Sequence, residues 1–200
     1  MSRGARSTPR PVGAPRVVAV AVLVAVAAVL RTLPHPLNFT PVGAMALLGG
    51  ATLGRSRAAL LLPLGAMVAG DIGLAVTSGD PGMALHPLVP AVYGTFALIV
   101  VLGSFLRGRI GVWSVAGASV SASLLFFATT NLANWIAFPT YPKTWEGLIA
   151  CYAAALPYLG NTVLGDAIYS VVLFGALAVA ERTFPSVRDR AAPHAELGVA

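Results

Sequence analysis

The feature that most constrains this chain is its division into long apolar blocks separated by short clusters of basic residues. The blocks at 17–30, 41–54, 58–76, 88–106, 110–136 and 147–180 are built mainly from Ala, Val, Leu, Gly and Phe. They show neither period-two alternation nor a single heptad stripe. Only 10% of the 200 residues are charged, 57% are hydrophobic and the mean hydropathy is +0.81. A soluble domain carries about a quarter charged residues and could not keep this much apolar surface in water. A bilayer is the solvent such a sequence expects. Inside one the backbone must satisfy its own hydrogen bonds, which favours helices. The expected fold is all-α and polytopic.

The length of the blocks and the placing of charge give a topology. Block 41–54 is short and Gly-rich, marginal against a hydrocarbon core of about 30 Å. Block 147–180 is too long for one span. Pro157 and Gly160 divide it, giving a short interfacial or re-entrant helix at 147–157 and a sixth span from 158. With the N-terminus in the cytoplasm, the inner segments hold Arg3, Arg6, Arg10, Arg16, Arg55, Arg57, Arg107, Arg109, Arg182, Arg188 and Arg190. The outer loops hold only Arg31 and Lys143. That bias obeys the positive-inside rule at every loop. Seven spans, or five after removal of the first block as a signal peptide, would spoil it. The expected organisation is a disordered basic cytoplasmic tail over 1–16, six spans over 17–181 with both ends inside, and a second cytoplasmic tail over 182–200.

Polar residues inside the spans point to function. A carboxylate at the centre of a span costs roughly 2.5–3.5 kcal/mol on insertion scales and is tolerated mainly where it faces the bundle interior. Asp71 and Asp166 are such residues, and the topology puts both in the outer half of the membrane. Ser123, Phe127, Thr130, Asn131 and Asn134 share one face of the fifth span, and Thr162, Asp166, Tyr169 and Ser170 one face of the sixth. Asn161 and Tyr93 lie near the outer starts of their spans, and His35 and Asn38 fall in the first outer loop. The inner halves are nearly free of polar side chains. A channel needs polar groups through the whole thickness, whereas a pocket opening outward needs only the outer half. Asn131, Asn134 and Asn161 could equally fasten neighbouring helices, and Trp135, Tyr141 and Trp145 suit an interfacial belt.

Several chemistries are excluded. The charge of +6 sits in topological clusters without aromatic interleaving, which argues against nucleic acid. Three histidines and one cysteine are not spaced for a metal site. No phosphate-binding loop, dinucleotide fingerprint, nucleophile elbow or zinc-protease motif occurs, so no cofactor is expected and the chain is read as a non-enzyme. Cys151, among Ala150, Tyr152 and Ala153, reads as a structural thiol.

The stretches PHPLNFTPVGAMALLGGA from Pro34, LLLPLGAMVAGD from Leu60, VYGTFALIVVLG from Val92, LLFFATTNLANW from Leu124 and YPKTWEGLIACYAAALPYLGNTVLGD from Tyr141 carry a resemblance. Over about 31–184 the chain resembles a family of uncharacterised bacterial membrane proteins described as transport proteins. That family in turn is similar to the substrate-binding S components of energy-coupling-factor transporters. These are six-helix proteins that capture vitamins or metal ions from outside and dock on a shared ATPase module. The resemblance implies residence in the bacterial inner membrane and a first helix whose small residues, here Ala21 and Ala25, meet the coupling partner.

The expected function is therefore capture of a small solute for uptake, in a pocket formed by the first outer loop and the outer ends of spans three to six. Asp71 and Asp166 would bind or orient a polar or cationic solute. His35, Asn38, Asn131, Asn134 and Asn161 would contact it, and Tyr93 and Trp135 would stack on a ring. The alternatives are a stand-alone ion-coupled transporter, an enzyme acting on a lipid through the two carboxylates, and a structural subunit.

Overall fold

The computed structural model describes residues 12–33, 36–54 and 56–188, all within or between helices. Six α-helices follow one another: α1 (Ala14–Leu30), α2 (Val42–Leu53), α3 (Arg57–Ser78), α4 (Val89–Ser104), α5 (Val112–Ala137) and α6 (Trp145–Thr183). Single 3-10 turns occur at Pro81–Met83 and Pro185–Val187. Among the described residues there is no strand. The helices α3, α5 and α6 are each long and apolar enough to cross a membrane. The outer surface is of the kind lipid covers: Val76, Val112, Trp113, Ile149 and Val171 are each more than half exposed.

Local signals set the ends. Pro90 opens α4 in its first turn, where a missing N–H costs nothing. Gly79, at φ 69°, takes the left-handed position that ends α3. Phe138 precedes Pro139, so its backbone turns extended and α5 stops there. The Thr144 hydroxyl accepts from the Gly147 amide at 3.2 Å and starts α6.

The centre of the bundle is α2. All 12 of its residues are buried, and the other five α-helices pack around it. Its glycines allow that enclosure. A Cβ at Gly49 would lie 2.8 Å from the Ala59 carbonyl oxygen of α3, and one at Gly50 2.8 Å from the Ser104 nitrogen of α4. From the other side, a Cβ at Gly103 of α4 would lie 2.9 Å from the Leu47 Cα. Backbones meet here with no side chain between them, the packing that small residues permit in membranes. A helix this short, roughly 18 Å at 1.5 Å per residue, has no lipid face of its own to match.

Two expectations are corrected. First, α6 runs unbroken for 39 residues through Pro157, so 147–157 is not a separate helix. Proline's φ is itself helical and its loss is one amide hydrogen bond. Contacts on both sides of it hold the helix together: Tyr152 Oη donates to the Ala128 carbonyl at 2.5 Å before it, and Ser123 of α5 reaches Asp166 after it. At roughly 58 Å, α6 is about twice a hydrocarbon core. Second, Arg16 is not in a disordered tail. It lies in the first turn of α1, 3% exposed. Its Nε donates to the Thr52 carbonyl at 3.2 Å, and its Nη1 to the Val187 carbonyl at 3.0 Å and to the Glu181 carboxylate. The same contacts order the segment after α6 as far as Arg188, where Val187 is buried against α1. The remainder of both tails lies outside the described residues.

Candidate functional site

The helices alternate in direction, so the end of α1, the start of α2, the end of α3, the start of α4 and the loop after α5 meet at one pole of the bundle. The start of α2 contributes Val42 and Gly43 to the lining of the space there. Two adjoining cavities occupy the space. The first, about 260 Å³, has Thr40, Val42 and Gly43 at its base and Arg31, His86, Phe96 and Asp166 in its walls. The second, about 370 Å³, lies between α5 and the first half of α6, with Phe127, Thr130, Asn131, Asn134, Tyr141 and Tyr158 in its wall. Asn38, Val92, Phe126 and Thr162 belong to both. Each alone approaches the lower end of ligand-pocket sizes and the pair falls within the usual range.

Asp166 is 4% exposed. Ser123 Oγ donates to its Oδ2 at 2.6 Å. Its carboxyl group rests on the first turn of α2, where a Cβ added to Gly43 would come within 2.8 Å of Cγ. Unpaired amides at a helix start favour negative charge. Among the described residues no cation pairs with it: the ion pairs there are Arg16–Glu181 and Arg31–Asp71.

Asp71 is held differently. Arg31 Nη2 lies 2.6 Å from its Oδ1, and Tyr93 Oη donates to its Oδ2 at 2.6 Å. Arg31 also reaches the Met67 carbonyl at 3.4 Å. Both carboxylate oxygens are thus engaged, and neither Asp71 nor Tyr93 lines either cavity.

The other sequence-derived residues divide. Asn38, at φ 63° in the left-handed region that Asn tolerates, stands at the junction of the cavities. Asn131 and Asn134 line the larger one, with Asn131 Nδ2 donating to its own helix at the Phe127 carbonyl. Asn134 Nδ2 and the buried Cys151 thiol lie 3.6 Å apart. Asn161 pins the loop before α2, donating to the Leu37 carbonyl at 3.0 Å. Trp135 lies outside the cavity walls; its Nε1 donates to the Pro142 carbonyl at 2.9 Å and Lys143 sits over its ring. On α1, Ala21 is half-buried and Ala25 exposed, beside the exposed Val22 and Val26. His35 lies outside the described residues.

Sequence reasoning missed several members of the lining, His86 of the first chamber among them. Arg31 was counted only as a loop charge, and its carboxylate partner stands 40 positions away. Phe96 and Phe126 were read as ordinary apolar span residues, yet both line the chamber of Asp166, with ring centroids 5.2 Å apart. Among the described residues no group of three His, Cys, Asp or Glu could hold a metal ion.

A family model described as a family of unknown function (DUF6580) matches residues 13–187, and the chain belongs to that family. No curated protein and no solved structure matches the chain.

Proposed function

We propose that this member of a family of unknown function is a membrane transport protein that captures a small solute in the paired cavities. The observation that carries the reading is Asp166: a buried carboxylate in a cavity wall, with one neutral hydroxyl as its side-chain partner among the described residues. Such a group is costly to keep unless something polar meets it. In this reading the chain spans the membrane six times with both ends in the cytoplasm, and the cavities open outward. The charge distribution supports that orientation, since Arg16, Arg57, Arg107 and Arg109 lie at the opposite pole from the cavities. The Arg31–Asp71–Tyr93 cluster ties α1, α3 and α4 together beside the site as its frame rather than its contact surface.

Release to the cytoplasm needs a movement of the whole bundle or a coupling partner, because α2 blocks the way through. A partner module of the energy-coupling type fits that need, and the exposed side of α1 around Ala25 is where it would dock. The experiment is mass spectrometry of small molecules that co-purify with the detergent-solubilised protein, wild type beside Asp166→Asn. A specific solute present in the wild type and absent from the variant is the expected result. A wild type that is empty from every growth medium would overturn capture.

A further inference from the structure

Resting on that reading, we infer that the solute is an organic cation: a primary ammonium or amidinium group seated on Asp166, attached to a flat apolar body lying in the larger chamber. The charge balance of the site points there. Arg31 lines the same chamber as Asp166, but its charge is offset by Asp71 at 2.6 Å. Asp166 is the one carboxylate in that wall, and neither basic residue of the wall, Arg31 or His86, forms an ion pair with it among the described residues. An ionised carboxylate has about four acceptor positions, and Ser123 fills one of them. A group bringing a positive charge and two or three N–H donors matches what remains.

The aromatic walls supply the second argument. Phe96 and Phe126 stand in the chamber with Asp166, and ring faces attract cations where water is excluded. Phe126 also belongs to the adjoining chamber, which adds Phe127, Tyr141 and Tyr158. A ring leaving the cation through the shared wall at Phe126 and Val92 would enter an aromatic enclosure with Asn131 and Asn134 for polar substituents. An anion would meet the carboxylate at 4% exposure and be repelled.

The test is the thermal midpoint of the detergent-purified full chain with three probes of one shape and different charge: benzylammonium, benzyl alcohol and benzoate, beside matched sodium chloride. The expected result is a rise with benzylammonium alone. That rise should require about ten- to hundredfold more probe in Asp166→Asn, the cost of losing one charge-assisted contact. It should also weaken in Ala155→Phe, which fills the larger chamber without touching the carboxylate. The unliganded midpoints show whether each variant is folded. Benzyl alcohol acting as well as benzylammonium, in wild type and Asp166→Asn alike, would overturn the cation assignment and leave solute capture standing. An Asp166-dependent rise with sodium as large as with benzylammonium would overturn it in favour of an inorganic ion. No rise with any probe overturns it too, and co-purified solute, which does not depend on the probe, then reports on capture separately.

Discussion

Asp71 on α3 and Asp166 on α6 look alike along the chain, each a carboxylate set in a long apolar run at the same pole of the bundle. Their surroundings are opposite. Asp71 is saturated by a guanidinium and a phenol from two other helices, and turns its back on the cavities. Asp166 has a glycine beneath it, a serine beside it and open space in front. Burial alone does not separate them, since they are 8% and 4% exposed. Partners do. One carboxylate fastens helices; the other, in the proposed reading, is the group that meets the solute.

The comparison can be broken most forcefully at Asp71. Asp71→Ala leaves the Arg31 guanidinium without its carboxylate, and breaking a buried pair from one side costs about 3–5 kcal/mol. A large drop in the unfolding midpoint in detergent is expected; a midpoint near wild type would mean that Asp71 is no fastener. Gly43→Val comes next. The new side chain must displace the Asp166 carboxylate or the start of α2, an overpacking cost of about 1–3 kcal/mol. Here solute binding should fall with stability, read by co-purification and melting on the same sample.

Asp166→Asn sharpens the contrast. Removing a buried charge that lacks a cation should leave the empty protein as stable as wild type or slightly more so, while bound solute is lost, the trade-off usual for binding sites. Equal destabilisation by Asp71→Asn and Asp166→Asn in the empty protein would erase the distinction between the two residues. The smallest effect belongs to Ser170→Ala. Ser170 lies one turn beyond Asp166, buried, with no hydrogen-bond partner among the described residues. Removing a buried hydroxyl without a partner should leave stability unchanged or raise it by up to about 1 kcal/mol and leave binding alone, which melting curves with and without solute will show.

The positions of the first five helices were legible because apolar blocks end at charge, glycine and proline, and the structure's boundaries fall within a few residues of them; the sixth was expected from 158 and begins at Trp145. That Asp166, Asn38, Asn131 and Asn134 gather at the cavities was legible for a related reason: polar residues stand out against hydrocarbon. What the sequence hid was partnership. Arg31 and Arg16 each read as one more positive charge flanking a span, yet each is held by a carboxylate far along the chain. Counting charges for topology weighs such residues without asking what they touch. Pro157 misled for the opposite reason. Proline punctuates chains in water, but in α6 the contacts of Tyr152 and Asp166 on either side outweigh one missing hydrogen bond. Nor could pattern alone say that α2 has no lipid-facing side, since a helix apolar all round fits the rim of a membrane bundle as well as its centre.

The burial of α2 has an electrical consequence. A vestibule that ends on a close-packed helix is a dead end, so charge entering it has nowhere to continue. In a planar bilayer under voltage this protein should pass no steady current at all. A cation settling on Asp166 would instead register as a brief displacement current that saturates as the sites fill, the behaviour of a capacitor plate rather than a wire.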